Sequence, residues 1–345
     1  MSSGIEIKRL DQAGHARWDA FVLAAPSATF FHLAGWKVAI EQGFGHHCPY
    51  MMAVEEGEIV GILPLCRIRS RLFGHHLLST AFAVYGGPVA SSKAAEVALG
   101  DAATDMAKAL GTDSLEYRTI VPVHKDWQTR SDTHATFRKG ISGAPDDLLT
   151  AIPRKQRAVV RKALKRDLEI ALDNDIQRFY PLYAESVRNL GTPVFPKRWF
   201  AALKAVFGND CEIAIVLSDG QPVASLMSFY FRGEVLPYYA GGTRDARRLG
   251  AHDFMYYDLM CRAVERGCDS FDFGRSKTGS GAYAFKKNFG FEPEPLNYQY
   301  CLPDGGDLPD ISPNNPKYRW MTAIWSKLPL PVANALGPMI SRNLG

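Results

Sequence analysis

What this chain of 345 residues lacks removes several kinds of protein at once. It has six cysteines, at 48, 66, 211, 261, 268 and 301, and no two stand in a CxxC spacing. A disulfide scaffold is therefore not expected, and a reduced, intracellular chain is. No stretch approaches 18 uninterrupted apolar residues, and the opening MSSGIEIKRLDQAGHARW has no apolar signal core. Secretion and membrane spanning are not expected, and a cytoplasmic location is the default. No GxSxG elbow marks a nucleophilic serine. His46-His47-Cys48 and His75-His76 are adjacent pairs, which in strands point to opposite faces, so no metal is expected. Charge of either sign is not in large excess. Forty Lys and Arg against 36 Asp and Glu leave +4, so a polyanionic partner must be argued from local clusters. With 46% hydrophobic and 22% charged residues, the composition is that of a folded globular protein, and the length suits two domains.

The chain resembles itself at a shift of roughly 155–165 residues. Glu56-Gly57-Glu58-Ile59-Val60-Gly61-Ile62-Leu63 matches Asp219-Gly220-Gln221-Pro222-Val223-Ala224-Ser225-Leu226, each an acidic-Gly turn between apolar runs, which is a hairpin signal. Tyr85-Gly86-Gly87 parallels Tyr239-Ala240-Gly241, and helical segments follow at about 92–110 and 249–266. Each helix leads to a short strand, Asp113-Ser114-Leu115-Glu116-Tyr117 and Asp269-Ser270-Phe271-Asp272-Phe273. The repeated order predicts an α/β (α+β) fold of two tandem modules, each a mixed, mostly antiparallel sheet flanked by helices. Gly and Pro cluster at Ser142-Gly143-Ala144-Pro145, so the modules are expected at 1–143 and 144–302. Residues 303–345 form a proline-rich basic tail that reads as an appendage.

The repeated unit resembles the acyl-CoA N-acyltransferase (GNAT) module. Two such modules in one chain is the arrangement of the Fem family, peptidyltransferases that add amino acids to peptidoglycan precursors. The likeness is carried by the run from Asp272 to Phe291, above all Phe285-Lys286-Lys287-Asn288-Phe289-Gly290. With Glu292-Pro293-Glu294-Pro295-Leu296 and the tail segments Trp325–Leu330 and Ala333–Pro338, it is similar to FemAB-like proteins found with exosortase/PEP-CTERM and exopolysaccharide loci. The resemblance implies that Lys286 stabilises the reacting acyl centre, with Lys287 a phosphate contact. Residue chemistry agrees: Gly274, Gly279 and Gly281 allow close backbone approach, Ser276, Thr278 and Ser280 offer hydroxyls, and Arg275 and Lys277 offer positive charge. Tyr283 completes this binding set. Asp272 either orients the site or accepts an amine proton, or is a structural carboxylate.

Three further segments bear on the donor. The turn Gly241–His252 matches the GNAT turn that wraps the CoA pyrophosphate at Arg247 and Gly250, but His252 stands where a small residue is expected. The run Arg154–Arg166, RKQRAVVRKALKR, has seven basic residues and no acidic one. Helical geometry aligns Arg154, Arg157, Arg161 and Lys165 on one stripe and Val160, Ala163, Leu164 and Leu168 on an inward face. Such a stripe suits tRNA or the diphosphate of a lipid- or nucleotide-linked substrate, or is a solvated face. In the first module, Thr29–Trp36 resembles the Fem opening, and Lys37 is the nearest candidate for its substrate-phosphate lysine. After Asp310 the sequence has no acidic residue, while Lys317, Arg319, Lys327 and Arg342 are basic and Trp320, Ile324, Trp325, Leu328 and Leu330 are apolar. This tail either contacts an anionic membrane or packs on the second module.

Together these features predict a Fem-like acyl- or aminoacyltransferase. It would form an amide on an amine of a cell-envelope or exopolysaccharide precursor, with aminoacyl-tRNA or acyl-CoA as co-substrate and no tightly bound cofactor. An acyl-CoA-dependent N-acyltransferase acting on a small amine, or a non-catalytic scaffold of exopolysaccharide assembly, remain the alternatives.

Overall fold

A computed structural model describes residues 4–173, 175–303, 305, 306, 308 and 316–345, without the side chains of 316–320. The chain divides into two compact units. Unit 1 comprises Met1–Ser131, Leu296–Asp310 and Arg342–Gly345; unit 2 comprises Asp132–Pro295 and Ile311–Ser341. The division is not a single cut. The strand at 134–140, ahead of the Gly/Pro cluster, belongs to unit 2, and the strand at 297–301 returns to unit 1. Strand pairing is decided by distant partners, so a join read from local turn residues at 143 falls eleven residues beyond the start of unit 2 at Asp132.

In unit 1, β1 (Ile5–Arg9), α1 (His15–Ala24) and α2 (Ala34–Phe44) precede β2 (Met51–Glu55) and β3 (Glu58–Leu63). Then come β4 (Cys66–Ser70), β5 (Gly74–Ser79), β6 (Val89–Ala90), α3 (Lys93–Leu110), β7 (Ser114–Thr119) and β8 (Gln128–Arg130). The β2–β3 turn has Glu56 at φ 51° and Gly57 at φ 86°, the left-handed pair of a tight hairpin. Strands β1-β2-β3-β6 form one sheet and β4-β5-β7 the start of another. Ser92 caps α3, its hydroxyl accepting from the Ala95 amide at 3.2 Å, and the helix buries Ala95, Leu99, Ala103 and Ala107 at a four-residue interval. Trp36 is wholly buried, its indole N–H donating to the Ala81 carbonyl at 3.1 Å. Lys37 is ion-paired with Glu41 one turn on, so the lysine nearest the Fem opening is already partnered.

In unit 2, β9 (His134–Gly140) is followed by α4 (Pro145–Ala151), α5 (Arg154–Leu164), β10 (Leu168–Asp173), α6 (Ile176–Asn189) and α7 (Lys197–Phe207). Next come β11 (Cys211–Ser218), β12 (Gln221–Phe231), β13 (Glu234–Gly242), α8 (Arg244–Leu249), α9 (Ala251–Glu265) and β14 (Ser270–Asp272). The unit continues through β15 (Ser276–Lys277), α10 (Gly281–Asn288) and β16 (Pro293–Pro295). β17 (Asn297–Cys301) lies between β7 and β8 in unit 1. One sheet runs β10-β11-β12-β13-β14-β9-β15, with β16 also on β9, and every pair is antiparallel except β13–β14. The β11–β12 turn repeats the left-handed pair, Asp219 at φ 52° and Gly220 at φ 72°. Alternate residues of β13 serve both faces. The Tyr239 ring packs against Tyr183 of α6 and Phe200 of α7, while Ala240 joins the core shared by α5 and α9. The mixed, mostly antiparallel sheet flanked by helices is as the sequence predicts. Tyr85–Gly87, however, lies outside any strand, whereas Tyr239–Gly241 is inside β13.

The tail is no appendage. α11 (Pro316–Trp325) and α12 (Leu330–Ser341) belong to unit 2. Arg188 at the end of α6 donates to the Ser326 carbonyl at 3.2 Å, and the Ser341 hydroxyl donates to the Val194 carbonyl at 2.9 Å. Residues 309–315, and the side chains of Lys317, Arg319 and Trp320, lie outside the described residues. Among those described, no helix is long and apolar enough to cross a membrane.

Candidate active site

The parallel pair β13–β14 is where the sheet of unit 2 opens. Only the first two of nine β13 residues pair with β14, Glu234 with Ser270 and Val235 with Phe271. β14 then ends at Asp272, while β13 runs on to Gly242. Two parallel strands that part in this way leave a wedge at their carboxyl ends, with backbone groups free for a ligand.

The end of β14 is built around Lys286. From α10 its Nζ donates to three successive carbonyls, Phe273 at 2.6 Å, Gly274 at 3.0 Å and Arg275 at 3.1 Å. It also lies 5.4 Å from the Phe137 ring centroid and 5.8 Å from that of Phe273. An ammonium has three donors, so all are spent in holding this turn. Burial pushes the lysine down to about 7, with the Asp272 charge opposing and Arg275 adding to the depression. Asp272 is buried, and its Oδ1 accepts from the Gly274 amide at 2.7 Å, so the carboxylate holds the amide and the lysine the carbonyl of the same residue. Gly274 is at φ 65°, which favours glycine at the pivot.

Sequence reasoning missed Glu234, the buried carboxylate behind this pair. It is ion-paired with Arg138 of β9 and accepts from Ser270 Oγ at 3.2 Å. Burial pushes it up to about 7, Asp272 adds to the rise, and Arg138 opposes it. An acidic residue opening the apolar strand EVLPYY was the available signal.

The other residues of the signature divide in role. Arg275 and Lys287 are exposed. Ser276 and Lys277 pair with Ala135 and His134 of β9, and the Ser276 hydroxyl is buried with no hydrogen bond among the described residues. Ser280 is taken up as the cap of α10, accepting from the Tyr283 amide at 3.2 Å. Gly279, at φ 75°, makes the turn before that cap. Tyr283 packs edge-on to Phe137 at 5.1 Å and is half-buried.

The donor candidates form a second cluster at the end of β13. The expected turn before a helix is itself the short helix α8, with Gly250 at φ 70° closing it and opening α9. A groove of about 370 Å³ lies between this junction and α5, lined by Lys162, Ala163, Arg166, Arg248 and Gly250 among others. Arg166 donates to the Arg248 carbonyl, tying the two walls together. Of the two neighbouring arginines on α8, both exposed, Arg248 lines this groove and Arg247 is not among its lining residues. Arg157, Arg161 and Lys165 line the adjoining hollow of about 530 Å³ on α5, with Arg154 and Lys162. The stripe is real, but its inward face ends early: Val160, Ala163 and Leu168 are buried, whereas Leu164, the last residue of α5, is exposed. The first turn of α9 also carries its own anion. Asp253 bonds to Gln156 of α5, and burial raises its carboxyl to about 6. His252 is half-buried against the end of β13, where a Cβ on Gly242 would lie 2.9 Å from its ring, and desolvation lowers its pKa.

Among the described residues, no three His, Cys, Asp or Glu side chains gather as a metal site. His46 bonds to the Arg342 carbonyl at 2.6 Å and His76 to Ser114 Oγ at 2.9 Å.

Comparison with known proteins bears on this geometry. Residues 154–287 match the acetyltransferase (GNAT) domain family, a span holding the basic helix, the wedge and Lys286. The fold is similar to the crystal structure of FemX, at 18% identity and TM-score 0.68, over 87% of this chain and 98% of that one. It is also similar to a tandem GNAT protein from the clavulanic acid biosynthesis pathway, at 13% identity and TM-score 0.56, over 88% of this chain and 100% of that one. A third likeness is to the C-terminal domain of a putative lysylphosphatidylglycerol synthetase from Agrobacterium fabrum, at 13% identity and TM-score 0.56, over 84% and 91%. No curated protein matches the sequence. Residues 154–287 thus match the GNAT acetyltransferase domain, and the fold of the chain is similar to those of FemX and the tandem GNAT protein.

Proposed function

We propose that the protein is a Fem-like transferase that moves an activated aminoacyl or acyl group onto a primary amine of a cell-envelope or exopolysaccharide precursor. The observation that carries this reading is the wedge between β13 and β14. Lys286 holds the turn that follows β14, and the basic groove lies at the helix junction that follows β13, so both come after the carboxyl ends of the parallel pair, where an open sheet takes its ligand. The acceptor amine, neutral, attacks the donor carbonyl. The new C–N bond forms, the C–O or C–S bond to the donor breaks, and the amine proton leaves with the departing group. Lys286 serves the tetrahedral stage by exchanging one of its three carbonyl partners for the developing oxyanion. Asp272 keeps the turn in place during that exchange. Arg275, Lys277 and Lys287 steer the phosphates or carboxylates of the substrates, and Gly279 and Tyr283 shape the wall.

Seven basic residues on and just after α5 supply more charge than one pyrophosphate needs, which favours aminoacyl-tRNA as donor. The GNAT domain match and the Gly250 junction favour acyl-CoA as the second reading. Equilibrium binding separates them. With charged tRNA, saturable binding that weakens with salt and in an Arg157→Gln/Arg161→Gln/Lys165→Gln variant supports the first. Saturable acetyl-CoA binding without tRNA binding supports the second. Binding of neither, or full turnover in Lys286→Ala, removes the transferase reading as stated.

A further inference from the structure

Large apolar side chains exposed in a folded chain are ordinary when they are scattered singly. Here five of them fall within nineteen residues: Met321 and Ile324 on α11 (39% and 54% exposed) and Val332, Leu336 and Met339 on α12 (42%, 44% and 68%). On α12 the last three recur at intervals of four and three residues, which is one stripe of a helix. The opposite stripe, Ala333, Gly337 and Ser341, is buried on unit 2, where a Cβ on Gly337 would meet Val194 at 2.9 Å. The outward face is therefore fixed by packing and cannot roll inward.

Its chemistry narrows the occupant. From Leu328 to Ser341 there is no charged residue, and no acidic residue follows Asp310. Lys327, exposed at the corner between the two helices, is the charge next to the stripe. A protein partner is ordinarily met by a polar rim of mixed sign. An apolar stripe on a helix that carries no carboxylate, with Lys327 just before it in the chain, instead complements an anionic interface with hydrocarbon beneath it. Twelve helical residues span about 18 Å, too short for a bilayer core of ~30 Å, so the helix would lie in the interface plane.

We propose that the outward face of α12 rests on an anionic lipid bilayer, with Val332, Leu336 and Met339 in the acyl boundary and Lys327 at the headgroups. The proposal stands apart from the acyl-transfer reading, since its readout is lipid binding alone. The test is co-sedimentation of the full chain with phosphatidylcholine vesicles, with and without a third of phosphatidylglycerol. The wild-type chain should sediment with the anionic vesicles and less so at high salt. Val332→Ser/Leu336→Ser/Met339→Ser should reduce partitioning at least about tenfold while the chain still unfolds cooperatively on heating, because the three side chains are exposed. Lys327→Glu should weaken binding by less, and neutralising Arg157, Arg161 and Lys165 should leave it intact. Failure of the wild type to sediment overturns the proposal. So does loss confined to the α5 variant, and so does a wild-type dimer that the triple serine variant turns into a monomer, which would make a second copy the occupant.

Discussion

The two units repeat one element order, yet they treat the parallel strand pair in opposite ways. In unit 1, β5 pairs with β7 at four successive positions, up to Ser79, the last residue of β5. In unit 2 the equivalent pairing stops after two, and β13 overruns its partner. The residues at the strand ends differ to match. Where unit 2 has Asp272, the pivot Gly274 and an inserted lysine from α10, unit 1 has Glu116 and Arg118, ion-paired at 2.8 Å and both buried. The Arg118 guanidinium also donates to the carbonyls of Ala83 at 3.0 Å and Gly345 at 3.2 Å, so the chain itself fills the place that unit 2 leaves open. Sheet continuity follows suit, with two separate sheets in unit 1 and one in unit 2. A duplicated scaffold has kept its wedge in one copy and plugged it in the other.

The contrast can be put to measurement. The strongest effect on folding is expected from Arg118→Ala, which leaves Glu116 buried without its partner and should cost about 3–5 kcal/mol in urea unfolding. A variant as stable as the wild type would show that unit 1 is not held by its plug. The strongest effect on chemistry is expected from Lys286→Ala, a drop in turnover of about 10²–10³ with donor binding retained. Gly241→Ala should cost about 1–3 kcal/mol, because its Cβ would collide with the Tyr183 backbone on α6. A thermal melt would detect it.

The pH dependence of stability is more distinctive. Glu234, lifted from 4.5 to about 7, holds a proton in the folded state that the unfolded chain releases, so its contribution falls as pH rises through that range. Lys286, lowered from 10.5 to about 7, sheds in the folded state a proton that the unfolded chain keeps, so its contribution rises from about 7 to 10.5. Together they place a minimum near pH 7 in the contribution of this cluster. Denaturant titrations across pH should show Glu234→Gln flattening the lower limb and Lys286→Met the upper. The smallest effect is expected from Arg157→Gln/Arg161→Gln/Lys165→Gln, within about 0.5 kcal/mol of wild-type stability despite weaker donor binding, as befits a solvated face.

Local chemistry made much of this legible in the residues themselves. Glu56-Gly57 and Asp219-Gly220 announce their hairpins because only a left-handed pair closes so tight a turn. The α5 stripe follows from helical period alone. Lys286 drew notice through resemblance, and the structure adds that all three of its donors are engaged. What stayed hidden depends on residues far apart in sequence. Glu234 matters through Asp272, thirty-eight residues later, and the groove closes through Arg166 and Arg248, neither of which was singled out for that place. Leu164 shows a smaller failure: a helical wheel assumes another turn, but α5 stops there.

The exchange of strands between the units has a consequence for how the protein is made. Among the described residues β8 is joined to its sheet only through β17, and β17 lies 167 residues farther along the chain, counting from Arg130 to Asn297. A nascent chain leaving the ribosome therefore cannot finish unit 1 when unit 1 has been translated. It must carry the exposed flank of β7 through the synthesis of nearly all of unit 2, and the first-made half of the protein is among the last to close.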